Sequence, residues 1–182
     1  MHSPRALAMY GLYDRQVRLF GQHTQDLIEK AHVCIIQTHQ SYCDQYHRDI
    51  DIGGEIIKNL ALLGVRTISA SKCAIESFKR MFHGCIKDIN SEIEINEVNS
   101  INVQHKYTFI IFINGLNEYK LEGIYACSKC MSFHSALKLH ICSEASTCIS
   151  FANDCLLGAI IVQEWIKKLQ GKPCVECYTL CL

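Results

Sequence analysis

Neither sign of charge is in excess in this chain: 18 Lys and Arg balance 18 Asp and Glu over 182 residues. No global field therefore draws it towards nucleic acid or an anionic membrane. Long apolar runs are missing as well. The longest near the C-terminus, residues 155–162, falls well short of the roughly 20 needed to cross a bilayer. Residues 1–10 hold no apolar core of useful signal-peptide length. Internal repeats and low-complexity segments are also absent. These absences lead to the expectation of an intracellular globular protein with neither a membrane nor a nucleic-acid partner. With 49% hydrophobic residues, 182 residues suit one domain with a real core.

Cysteine, by contrast, is plentiful, with 12 residues. The chain is too long for a disulfide-stapled mini-protein and shows no secretory signal, so the thiols are expected to be reduced. Cys34, Cys85, Cys142 and Cys155 fall within apolar segments and read as small hydrophobes of the core.

Along the chain, residues 1–12 show no periodicity and are expected to form a loose tail, with one domain over 13–182. A helix is expected from Thr24, as N-cap, to Lys30. Val33-Cys34-Ile35-Ile36 reads as a fully buried strand. Residues 37–52 are polar and long for a strand-to-helix turn. Beyond them Ile56, Leu60 and Leu63 share a helical face, and Gly64 supplies the stop. A second strand is expected over 65–69. One long helix is expected over 71–90, with Phe78, Met81, Phe82, Cys85, Ile86 and Ile89 on its core stripe. Strands at 93–98 and 107–113 follow, the latter at the centre of the sheet. A helix over 117–135, a strand over 139–142 and a final helix over 153–169, stopped by Gly171 and Pro173, complete the pattern. Alternating strands and helices favour a doubly wound α/β fold with a mostly parallel sheet.

The run Tyr13-Asp14-Arg15-Gln16-Val17-Arg18-Leu19-Phe20-Gly21 concentrates two guanidinium groups in one turn of chain. Arg15 and Arg18 would lie on roughly the same helical face, and the planar guanidinium suits phosphate oxygens. Two further blocks follow in order: Gly53-Gly54-Glu55-Ile56-Ile57-Lys58-Asn59-Leu60-Ala61-Leu62-Leu63-Gly64-Val65, and Leu157-Gly158-Ala159-Ile160-Ile161-Val162-Gln163-Glu164-Trp165-Ile166-Lys167. Together the three blocks resemble the ubiquitin-like-protein activating enzymes and their bacterial relatives of the ThiF/MoeB type, and within them most of all the small, non-thioester subunits of the SUMO-activating kind.

That resemblance implies a Rossmann-like adenylation-type domain in reduced form. It also implies a role in sumoylation, in nucleus and cytoplasm, as the regulatory subunit of a heterodimer. The large catalytic subunit would bind ATP and Mg²⁺ and activate the modifier, while Arg15 of this chain reaches across to the phosphates. Arg18 is the weaker candidate, as an ion-pair partner at the interface. The nucleotide loop of the family is degenerate here, because residues 37–52 intervene and only Gly53 and Gly54 remain. Ser69 and Ala70 stand where active members carry a ribose-binding acid, and the family's Asn-x-x-Arg run is missing. No cofactor is therefore expected in this chain itself.

Four cysteines form two Cys-x-x-Cys pairs, Cys127 with Cys130 and Cys174 with Cys177. Such pairs can make a structural zinc site, but the expected helix around the first pair argues against it. His39, Cys43 and His47 are spaced by four and would align on a helix, though a polar loop explains them as well. Cys148 and Cys155 are not expected to be catalytic, because residues 143–152 leave no room for the family's thioester domain. Two other readings stay open: a ThiF/MoeB-like homodimeric adenylyltransferase in sulfur transfer with zinc, and a vestigial scaffold.

Overall fold

The computed structural model describes residues 13–38, 51–99, 107–114, 121–135 and 151–180. A seven-stranded sheet runs through them in the order β3-β2-β1-β4-β5-β6-β7. Its strands are β1 (His32–Gln37), β2 (Thr67–Ala70), β3 (Glu94–Glu97), β4 (Phe109–Ile113), β5 (Ile124–Cys127), β6 (Ser132–His134) and β7 (Cys177–Thr179). Strands β1 to β5 are parallel, whereas β6 and β7 turn antiparallel at one edge. The helices are α1 (13–20), α2 (Gln22–Lys30), α3 (Ile52–Leu63), α4 (Lys72–Met81), α5 (Ile86–Ile89) and α6 (Phe151–Leu169).

The expected doubly wound α/β architecture is observed, and β4 is the middle strand of the seven. Its sequence Phe-Ile-Ile-Phe-Ile has almost no polar face because helices cover a parallel sheet on both sides. The core lies between this sheet and its helices. Ile56, Ile57 and Leu60 of α3, and Leu157, Ile161 and Trp165 of α6, are buried against Val33, Ile35 and Ile111 of the central strands.

Several expectations are corrected. Of the helix expected over 117–135, residues 117–120 lie outside the described residues, and 121–135 instead hold β5, a turn, and β6. Ile124-Tyr125-Ala126-Cys127 is buried at every position, so period-2 alternation never shows, and the short run mimics a helical segment. Residues 71–90 do not make one helix: α4 ends at Met81, Phe82 adopts an extended conformation, and α5 is a separate single turn. Gly84 falls in that break, where its backbone freedom disfavours continuing the helix. In consequence Cys85 is exposed, and Phe82, Ile86 and Ile89 are only half-buried. Cys34 is buried as expected, while Cys155 is half-buried. Thr24 is a buried residue inside α2, not its cap; the N-cap position is Gly21. The edge strand β7 has no counterpart in the sequence reading. The strand expected over 139–142, with Cys142, lies outside the described residues, as do residues 1–12.

Candidate functional site

In a doubly wound sheet the ligand crevice opens at the carboxyl ends of the strands, where successive connections leave in opposite directions. Here β2 and β4 flank β1, so the switch point lies between the ends of β1 and β4. Strand β1 ends at Gln37 and α3 begins at Ile52, with Asp51 as N-cap. Of the insertion expected over 37–52, both end residues thus belong to regular elements, and 39–50 lie outside the described residues with His39, Cys43 and His47.

The crevice is lined by side chains that bond to one another, although the buried Gln37 Oε1 has no hydrogen-bond partner among the described residues. Asp51 Oδ1 accepts from the Gly54 amide at 2.9 Å, and Asp51 Oδ2 accepts from Gln37 Nε2 at 2.8 Å. The Asp51 amide donates to Ser77 Oγ at 3.0 Å, and the Gln37 amide to Ser71 Oγ at 3.0 Å. Cys73 Sγ donates to the Gln37 carbonyl at 3.1 Å, and burial pushes its pKa up. The glycines are spent on packing. A Cβ on Gly53 would lie 2.0 Å from Gln37 Oε1, and one on Gly54 would lie 2.6 Å from Ser77 Oγ. Both glycines let α3 close onto Gln37 and α4; neither leaves a cradle.

These residues do not fit a triphosphate. The helix N-terminus that would attract an anion, worth about 0.3–2 kcal/mol, already holds its own carboxylate. A phosphate charge 4 Å from Asp51 would meet repulsion of about 4 kcal/mol at the effective dielectric of a protein surface. Repulsion wins. At the end of β2 Ser69 and Ala70 are buried, and Ser69 Oγ is paired with His32 Nε2 at 2.8 Å, so neither offers a group to a ribose.

The other candidate site lies at the opposite end of α3. The run around Arg15 is itself helical, as α1, with two unlike faces. Tyr13, Gln16, Val17 and Phe20 fall on the inner face at helical spacing, and Asp14, Arg15, Arg18 and Leu19 are exposed. Arg18 is paired with Asp14 of its own helix at 2.8 Å, so its carboxylate partner is intrahelical. Arg15 is presented to solvent. Helix α3 stops at Gly64, whose φ of 96° suits glycine. Its last carbonyls are closed from outside: Gln16 Nε2 donates to Leu62 O at 3.0 Å and Gln25 Nε2 to Leu63 O at 3.0 Å. The Tyr13 ring lies on the bare Cα of Gly64, where a Cβ would come within 2.8 Å of Tyr13 Cζ. A small pocket of about 50 Å³ adjoins it, lined in part by Glu29, Arg66 and Glu92. Arg66 bridges Glu29 at 2.7 Å and Glu92 at 3.1 Å. Burial, and then Glu29, raises the pKa of Tyr13.

The cysteine pairs are not drawn together. Cys127 ends β5 and is buried, and Cys130 occupies the following turn with Sγ 3.0 Å from Ser132 Oγ. Cys174 and Cys177 are exposed, and Cys174 Sγ donates to the Glu164 carbonyl at 3.5 Å. Among the described residues no three or more His, Cys, Asp or Glu side chains gather as a metal site. Cys148 lies outside the described residues. Burial raises the pKa of Cys155 and the nearby Glu55 adds to this, so its thiolate is disfavoured. No helix among the described residues is long and apolar enough to cross a membrane.

The whole chain superposes on the crystal structure of PaaA with a TM-score of 0.60 at 12% identity, covering 72% of that chain. On Escherichia coli MccB, 93% of the chain superposes with a TM-score of 0.60 at 14% identity, covering 66% of that protein. MccB crystallised with ATP gives a TM-score of 0.56 at 14% identity, over 93% of this chain and 71% of that one.

The fold is of the ThiF/MoeB type.

Sequence kinship is more local. A stretch of 53 residues, 29% of the chain, is 45% identical to the NEDD8-activating enzyme E1 regulatory subunit of Danio rerio. Over the same length it is 43% identical to that of Gallus gallus. The match spans 8% of each of those proteins. No family model matches. On this ThiF/MoeB-type frame Arg15 is exposed on α1, as a residue meant for a partner must be, while the sequence reading missed the contacts of Asp51 and the two glutamines. For Asp51 a signal existed, since an Asp just ahead of an apolar-periodic run is an N-cap pattern. For Gln16 and Gln25 there was none, because a glutamine closing another helix is a tertiary contact.

Proposed function

We propose that this chain is a regulatory, non-thioester subunit of a ubiquitin-like-modifier activating enzyme, serving an active site in a catalytic partner. The observation that carries this reading is the N-terminus of α3, where Asp51 caps the Gly54 amide and is itself held by Gln37, while α1 holds Arg15 outward. The local identity to an E1 regulatory subunit supports it. In this reading ATP and Mg²⁺ belong to the large subunit. Arg15 lies against the phosphates there and offsets negative charge while the modifier's C-terminal carboxylate is adenylated and pyrophosphate departs. The pair works in the nucleus and cytoplasm.

Two modifiers are in view. The sequence match favours a NEDD8-type partner, whereas the run Val175-Glu176-Cys177, which resembles the tail of the SUMO-type small subunits, favours a SUMO-type one. A homodimeric sulfur-transfer adenylyltransferase with zinc is the weaker reading, since it needs a nucleotide in the crevice that Asp51 closes and four cysteines brought together. ATP–pyrophosphate exchange separates these readings. The chain alone gives no exchange and no ATP binding at millimolar concentration. Added to a NEDD8-type or SUMO-type catalytic subunit with its modifier, it raises exchange with one of them. Arg15→Ala then lowers the rate by ~10²–10³, as expected for one preorganised charge donor. Exchange by the isolated chain overturns the assignment, and no stimulation of either partner leaves the vestigial scaffold.

A further inference from the structure

We propose that Tyr13 and Gln16 are positioning residues that aim Arg15 by clamping α1 onto the C-terminus of α3. This rests on the reading of Arg15 given above and deepens it. Arg15 lies between two inward-facing residues, each tied to the same helix end. On one side the Tyr13 ring is seated against Gly64, with the site of an absent Cβ 2.8 Å from Cζ and 3.0 Å from the hydroxyl. On the other, Gln16 Nε2 donates to the Leu62 carbonyl at 3.0 Å.

The two contacts lie one helical turn apart, so together they fix both the rotation of α1 about its axis and its tilt on α3. Either contact alone would leave one of these loose. The guanidinium stands on a long side chain with several free torsions, so its reach is set by where its backbone is held. Displacements of about 1 Å at a reacting centre cost on the order of a hundredfold in rate. Helix α1 is further held by Phe20, which packs against the core. Its outer face is solvated, with Leu19 73% exposed, and its far end is tied by Gln170 Nε2 donating to Phe20 O at 3.3 Å. The bare Gly64 therefore has two tasks. It ends α3 in a left-handed turn, and it leaves the flat space that receives Tyr13.

The test is a double-mutant cycle on the chain in complex with its catalytic subunit, reading kcat and KM of ATP–pyrophosphate exchange with partner at saturation. Gln16→Ala and Tyr13→Ala are each expected to lower kcat about tenfold with little change in KM for ATP. Tyr13→Phe, which keeps the ring on Gly64, is expected to retain the rate. In an Arg15→Ala background the same substitutions are expected to have no further effect, because they act through that guanidinium. If they lower kcat by the same factor with and without Arg15, the positioning role is overturned. If Arg15→Ala itself leaves kcat unchanged, the function proposed above fails instead, and the positioning role with it. Should Tyr13→Ala not fold, Gln16→Ala and Gly64→Ala decide the matter by the same comparison.

Discussion

The two ends of α3 are finished by different means. At its N-terminus the closing group is local: Asp51 caps the Gly54 amide and is itself held by Gln37 and Ser77. At its C-terminus the Gly64 and Val65 amides close Ala61 and Leu60 locally, but the Leu62 and Leu63 carbonyls are reached from afar, by Gln16 and Gln25, 46 and 38 residues away in the chain. A local carboxylate removes an anion site, because it uses the donors and leaves negative charge in their place. A remote amide instead brings a second helix, and the exposed Arg15 with it, to the end of α3. One helix thus has one end closed by a carboxylate and one end beside which Arg15 is exposed, the pairing on which the proposed function rests.

Thiol labelling probes the sealed end with the largest expected contrast. Burial raises Cys34 from 9.0 to about 11 and also raises Cys73, whose Sγ points into the crevice. Two units at Cys34 mean about a hundredfold less thiolate at pH 8 than an ordinary thiol has. Iodoacetamide on the native protein should modify Cys85, Cys174 and Cys177 and spare Cys34 and Cys73, as read by peptide mass mapping. Modification of Cys73 at the rate of Cys85 would show that the crevice opens.

Substitution at Gly54 comes next. Gly54→Ala places a Cβ 2.6 Å from Ser77 Oγ and 2.9 Å from the Phe78 amide nitrogen, so α3 and α4 must part. The expected loss is about 1–3 kcal/mol in urea denaturation. Smaller again is the cap itself: Asp51→Ala should cost about 1 kcal/mol, and Asp51→Asn, which keeps the cap on Gly54 but loses the oxygen that accepts from Gln37 Nε2, should cost about as much through that lost bond.

The smallest effect belongs to the presenting end. Burial raises Tyr13 above its usual 10.0, with the Glu29 charge adding to it, so the folded state holds the phenolic proton more tightly than the unfolded chain. Its contribution is full below about pH 10 and is lost as pH rises through the raised value. The fall in stability above pH 10 should be shallower in Tyr13→Phe, measured as denaturant midpoints against pH. Equal slopes would mean that Tyr13 is solvated and α1 is not docked.

How much of this was open to reading from the chain alone follows from where each constraint lives. The apolar runs within β1 and β4, the α6 stripe and the stop at Gly64 are local patterns, and each became the element expected. The β5–β6 hairpin was hidden because four consecutive buried positions carry no period, and the break after α4 because Phe82 and Ile86 keep a helical spacing that the backbone abandons. At the candidate site the run around Arg15 was legible as a motif, while the contacts of Asp51 and Gln37 on either side of residues 39–50 were not. That Tyr13 and Gln16 face inward also follows from spacing, once α1 is known to be helical.

The sequence by itself determined the doubly wound class, the central strand and the residues available for chemistry, because hydrophobic period and turn residues act within a few positions of one another. Only the tertiary structure decided that Asp51 with Gln37 shuts the crevice and that two glutamines lock the far end of the helix. Those contacts join residues 14 to 46 positions apart, and no local preference encodes which donor meets which acceptor across such distances.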